Sequence, residues 1–432
     1  MAHWGIAISY YHQVWDPHLS ANDLQAGTAE IQKALDLSEN ASEREQAFIH
    51  ALSVFYLTAA RTRLHLADLA YVNAMREAAS QNPDDTESQV FYALSFLAIA
   101  SPADPAHTNQ KWAAQILGPL YERFPDHPGI AHYLIHAYDA PDLAPLGLPA
   151  ARAYAKIAPS APHALHMPSH IFTLLGLWRD SIASNLAARA AAHSQGDVGE
   201  EFHAMDYLLY AYLQNGNSAK AEALVSELRE LPGPAAGDNK IAYAATVMRV
   251  RYAIERRDWQ QALSLSADPQ LAPQFRAICE WGNAVAAAHL AKADEAQTHA
   301  QNLQTLSEQM RGDADDYWIA QVQIQAASAQ GWAAHARGDD TSAIASLGNA
   351  ADTEDQLAKR PITPGPVTPA REQLADLFLE LNQPAGALRE YETVLKHSPG
   401  RRNALSGAVR AAELSGDTLK AAKYGLQLKQ LQ

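Results

Sequence analysis

The chain has 432 residues with 33 Lys+Arg against 48 Asp+Glu, a formal net charge of -15, and no Lys/Arg-rich run. That balance argues against a nucleic-acid backbone or an anionic membrane surface as partner. Apolar residues make up 48%, ample for a core, yet no stretch approaches the ~18 to 20 uninterrupted apolar residues that span a bilayer. Cys279 is the single cysteine, so intrachain disulfides, CxxC redox pairs and thiolate zinc sites are excluded by arithmetic.

Length alone suggests two or three domains at roughly 150 residues each. From the first residue onward, however, Ala, Leu, Gln and Glu dominate, strand-like Val/Ile/Thr runs are missing, and apolar residues recur at helical spacing, beginning with Trp4, Ile6, Ala7 and Ile8. The start carries no basic or apolar leader, so the chain reads as cytoplasmic as given, or periplasmic where a leader has been removed. His12 and His18 flank Trp15 and are expected to cap a helix or reach a groove. Breaks then follow every 12 to 20 residues at short turn signals: Asn82-Pro83-Asp84, Pro125-Asp126-His127-Pro128, Asn215-Gly216-Asn217, Arg337-Gly338-Asp339 and Ser415-Gly416-Asp417. Helical hairpins in series with a period in the mid-thirties predict an all-α solenoid.

The clearest unit runs from Leu374 to Pro399, with Leu374, Ala375, Phe378, Ala387, Tyr391 and Pro399 at the spacing of a helix pair with small residues at its close contact. The same frame fits Leu208, Tyr212, Gly216 and Ala221, then Gly338 with Ala343, then Gly416 with Ala421. On these residues the chain resembles the tetratricopeptide repeat family, and residues 131–141 and 162–172 resemble segments of a bacterial group of such proteins that carries HxxxH motifs. The resemblance implies about ten to eleven hairpins in a right-handed superhelix. It divides the chain into residues 1–358, a Pro-rich loop at 359–370, and C-terminal repeats of the same array at 371–432. It also implies a scaffold that binds a partner along its concave face.

Histidine carries the functional signal. Of 18 histidines, five fall between His132 and His170. In three consecutive repeats the first helix closes on Tyr138, Phe172 and Tyr212. Stepping back nine, six and two residues gives Gly129, His132, His136; His163, His166, His170; and His203, Asp206, Tyr210. Six of these nine groove positions, within about 129–214, are His, where composition predicts fewer than one. The same step from Phe96 or Tyr56 yields only His50. Equivalent helices of stacked repeats lie roughly 10 Å apart, so imidazoles on neighbouring helices can converge.

Two helices carry HxxxH, at His132/His136 and His166/His170, a spacing that lets both rings of a pair hold one ion. No Glu stands between them, so zincin-type proteolysis is not expected. Asp139 and Asp206, one turn beyond His136 and His203, are candidate carboxylate ligands or orienting groups. Nitrogen-rich ligation of this kind suits a transition metal, Zn, Cu or Fe, rather than Mg or Ca. A polar pocket for an anionic or peptide ligand, and a purely hydrogen-bonded network, are the competing readings. Pro168 forces a kink inside the second motif or starts a new helix there.

Tyr133, Tyr138, Tyr210, Glu87, Arg251, Glu372 and Asp376 are expected to line the groove, while His50, His289 and His335 are isolated polar residues and Cys279 is core. Arg360 to Pro369 contains four prolines and must be non-helical, as a stiff loop or as a wall over the groove. The expected function is a metal-binding solenoid, with a metal-dependent activity on a small molecule or peptide in the groove. The alternatives are a non-catalytic scaffold for protein partners and a metal carrier or sensor.

Overall fold

A computed structural model describes residues 1–11, 14, 19–228, 231, 238–311 and 316–431; His12, Trp15 and His18 lie outside the described residues. Among these residues every regular element is a helix, and no helix is long and apolar enough to cross a membrane. The chain is an all-α array of helical hairpins. It divides into two compact units, Met1–Asp139 with Pro149–Ile157, and Ala140–Leu148 with Ala158–Gln432.

In the first unit the helices Ala2–Tyr10 and Ala21–Asp36, Glu43–Ala59 and Leu64–Gln81, and Thr86–Ala98 and Thr108–Arg123 pair in chain order, followed by Pro128–Ala137. Ile49, Leu52, Phe55, Tyr56 and Met75 form the centre of its core, each at 2% exposure or less. Contacts between successive hairpins are close because small residues meet large ones. A Cβ on Gly27 would fall 2.2 Å from the Tyr56 hydroxyl, so only glycine lets those two helices approach that far.

The second unit runs on from Pro162–His166 and Pro168–Leu174, paired with Trp178–Gln195, to the final hairpin of Arg402–Leu414 and Thr418–Gln430. Its turns repeat one device. Gly196, Gly216, Gly338 and Gly416 take left-handed φ values of 70° to 81°. The next residue, Asp197, Asn217, Asp339 or Asp417, caps the following helix by accepting its N3 N–H. Three of the turn signals read in the sequence, at Gly216, Gly338 and Gly416, are such glycine and cap pairs.

This second unit also closes on itself. Trp178 Nε1 donates to the Gly400 carbonyl at 2.9 Å, the Arg402 N–H donates to Gln214 Oε1 at 2.9 Å, and Asn215 donates to the Leu431 carbonyl. Buried Arg401 bridges Glu372 and Glu255 at 2.5 and 2.6 Å. The last hairpins therefore lie against Val198–Asn215, so residues placed by sequence along an inner stripe become interior.

Candidate metal centre

The strongest histidine group sits inside the second unit. Pro168 has no N–H to continue the preceding turn, and the chain responds by ending one short helix at His166 and starting another with Pro168 at its first position. The two pieces still run on far enough to place His166 Nε2 3.0 Å from His170 Nε2. The Val198–Asn215 helix supplies His203, whose ring centre lies 4.3 Å from that of His166 and 6.2 Å from that of His170. One ring nitrogen from each of the three lies within 4.8 Å of the others. Exposure is 0% for His166 and His170 and 1% for His203.

Two residues that sequence reasoning did not single out organise this group. Asn185, on Trp178–Gln195, donates through Nδ2 to the Ser181 carbonyl at 2.8 Å, which points its Oδ1 at His166 Nδ1, 2.7 Å away. A carbonyl oxygen only accepts, so His166 carries its proton on Nδ1 and presents a lone pair at Nε2. Tyr207 stands among the three rings, its centre 4.7, 4.9 and 5.3 Å from those of His166, His170 and His203. Its hydroxyl donates to the Thr363 carbonyl at 2.8 Å, and lies 3.4 Å from His170 Nδ1. With His166 Nε2 as the acceptor, the 3.0 Å contact between the two Nε2 atoms is a hydrogen bond donated by His170 Nε2–H. Burial, with the neighbouring imidazoles adding to it, pushes His166 and His203 well below the usual histidine range, so both are neutral at pH 7, the form that ligates metal.

The remaining candidates are placed as follows. Asp206 is fully buried, and its carboxylate faces Arg251 Nε at 3.5 Å rather than joining the three imidazoles. Burial pushes it up to about 6 while Arg251 pulls it down. Arg251, Glu372 and Tyr210, expected on the groove surface, are interior at 0, 1 and 5% exposure. The reason is the closure of the unit: Arg251 lies over the Tyr210 ring, and Glu372 pairs with Arg401. Asp376 binds Arg257 at 3.0 Å. His163 faces Glu200 at 3.5 Å.

In the first unit, His132 and His136 bring their Nε2 atoms to 3.1 Å. His132 stacks between Tyr133 and Tyr154 at 5.2 and 5.4 Å. Tyr138 is the C-cap of their helix, and Asp139 follows with its N–H on the His136 carbonyl. Glu87 is held by His127 at 2.9 Å. Cys279 is core at 4% exposure, its thiol pushed by burial up to about 11.

The Pro-rich segment is tied to Tyr207, which stands among the three rings, and to Arg251. Tyr207 holds the Pro361 and Thr363 carbonyls, and Arg251 donates to the Pro366 and Gly365 carbonyls at 2.8 and 3.1 Å. It forms a strap fixed by Tyr207 and Arg251.

No family model matches the chain, and no curated protein matches it. Solved structures that resemble it include the human IFIT1 dimer with m7Gppp-AAAA, at 11% identity and a TM-score of 0.44, covering 100% of this chain and 94% of that one. The TPR domain of P58(IPK) is similar at 12% identity and a TM-score of 0.24, covering 96% and 98%. A circular tandem repeat protein follows at 11% identity and a TM-score of 0.17, covering 100% and 94%. Likeness of this degree bears on no function, and the hairpin class rests on the packing described above.

Proposed function

We propose that the chain is a tetratricopeptide-like metal-binding protein in which His166, His170 and His203 hold one transition-metal ion, Zn, Cu or Fe. The observation that carries this reading is the convergence of three buried imidazoles, with one ring nitrogen of each within 4.8 Å of the others and the Nε2 atoms of His166 and His170 3.0 Å apart. A bound cation would take the place of the proton that these two nitrogens share. Asn185 supports the same reading as the group that fixes the His166 tautomer, the role such partners play around metal-bound imidazoles. Three imidazoles leave a fourth tetrahedral position, where a metal activates water or polarises a substrate atom. The activity that follows is metal-dependent chemistry on a small molecule or peptide. The burial of all three rings, at 1% exposure or less, favours a second reading, a carrier or sensor that keeps its ion from exchange.

The test is metal analysis of protein purified without an affinity tag, before and after reconstitution with Zn, Cu and Fe. The expected result is one ion per chain at this site, lost in the His166→Ala/His170→Ala variant. No stoichiometric metal under any condition overturns the reading and leaves a protein-binding scaffold. Metal fully retained by the double variant would show that other residues, such as His132, His136 or His163, are the ligands. An exchangeable water on the bound ion supports catalysis, and a closed shell supports storage.

A further inference from the structure

A second feature of the larger unit stands apart from the histidines. The helices Asn239–Glu255, Pro273–His289 and Asp316–Ala336, the end of Asp340–Asp355 and the strap enclose a cavity of about 70 Å³. Its aromatic wall is Tyr243, Tyr317 and Trp318. The Trp318 ring is fixed by neighbours at 5.7 Å from Tyr243, 5.2 Å from Tyr317 and 5.8 Å from Phe275, each at a steep angle. Rings locked in this way present π faces and edges without further ordering cost.

The polar side chains of the lining, besides the tyrosine hydroxyls, are Gln321, Gln325, Glu354, Lys359 and Thr363. Gln325 lines the cavity, and its Oε1 is buried with no hydrogen-bond partner among the described residues. An amide oxygen out of contact with water and without a donor is costly, and native interiors seldom leave one so. Half-buried Glu354 also lines the cavity, and its carboxyl accepts the Ala370 N–H at 2.7 Å. That end is enclosed enough that burial pushes it up to about 7.

Size and charge narrow the occupant. A cavity that holds one water needs roughly 10 to 15 Å³, so this one holds about five waters or a single small ring. The Glu354 carboxyl and the unpartnered Gln325 oxygen disfavour an anion at that end. Positive charge is already supplied by Lys359 on the cavity wall and by the Arg360 guanidinium, 5.0 Å from the centre of the Tyr317 ring. A neutral ring with a donor satisfies what remains.

We propose that this cavity binds a small planar molecule carrying an N–H donor, with its ring among Tyr243, Tyr317 and Trp318 and its N–H on Gln325 Oε1. The inference is independent of any metal. It has one consequence for the strap, because Thr363, Gly365, Pro366 and Val367 form part of the same cavity wall: an occupant presses on the segment whose carbonyls Tyr207 and Arg251 hold.

Pyrrole and furan test it, being rings of the same size that differ in the N–H. Titration of the full chain by NMR should give saturable binding of one pyrrole, at least tenfold tighter than furan, since a site built around one hydrogen bond rejects the analogue that lacks it. In Gln325→Leu, checked for unchanged helicity, the ratio should fall to about one. No saturable pyrrole binding, or furan bound as tightly as pyrrole by the unsubstituted protein, overturns the proposal without reliance on any variant. A preference unchanged in Gln325→Leu overturns the role of that residue.

Discussion

Asn185 shows how much a single buried amide decides. Its Nδ2 is committed to the Ser181 carbonyl, so its Oδ1 must face His166, and the imidazole has one tautomer left. Replacing it with Leu keeps most of the volume but removes the acceptor, leaving a buried N–H unpaired at a cost of about 1–3 kcal/mol. The expected outcome for Asn185→Leu is a folded chain whose metal affinity is weaker by about 10–100-fold, measured by competition with a chelator of known affinity. Unchanged affinity would mean that Asn185 does not set the ring's protonation. The histidines themselves were legible, because His166, His170 and His203 fall on one stripe of aligned repeats. Asn185 and Tyr207 were not. Tyr207 lies four residues after His203, a spacing that puts both on one helical face, but a stripe counted from groove positions steps over it.

At the scale of elements, the turns explain which repeats could be read. Where the left-handed residue is glycine, as at Gly216, Gly338 and Gly416, the break is plain in the sequence. The same conformation is adopted by Arg257, Ala291 and Asn382, with φ of 54° to 57°, and at Arg257 and Ala291 no composition signal marks the turn. Their helices are nevertheless paired, because the apolar faces are buried whatever residue makes the corner. A side chain in this region carries roughly 1–2 kcal/mol of strain. Ala291 is exposed, so relieving that strain disturbs no packing. Ala291→Gly should stabilise the chain by about 1 kcal/mol, less the added freedom of glycine in the unfolded state, and urea unfolding should show a higher midpoint. A lower midpoint would mean that the strain at this corner is smaller than the entropy glycine adds. The proline segment teaches the opposite lesson: four prolines fix that it is not helical, but its attachment depends on Arg251, 115 residues before Pro366, which no local pattern encodes.

For the whole molecule, periodicity predicts stacked hairpins and is silent on whether a stack returns to its own beginning. In the second unit that return is made by single residues far apart in sequence, Trp178 with Gly400 and Arg401 with Glu255, the latter 146 residues apart. Arg401 is the centre of it, fully buried, donating to both Glu372 oxygens at 2.5 and 3.0 Å, to Glu255 at 2.6 Å and to the Tyr210 hydroxyl at 3.3 Å. Arg401→Met keeps a long apolar stem but leaves two carboxylates buried without their cation, a loss of about 3–5 kcal/mol. The pH dependence follows from Glu372, which burial pushes above its ordinary value while Arg401 pulls it back. Without the guanidinium only the upward push remains, so the native variant holds a proton that the unfolded chain releases near its ordinary carboxylate value. A group raised in the folded state contributes its stability below the unfolded pKa and loses it as pH rises through the folded one. The deficit of Arg401→Met in urea unfolding should therefore be small at pH 5 and large at pH 8. A deficit of the same size at both would show that Arg401 closes the unit by packing alone, with the charges of Glu372 and Glu255 carried by other partners.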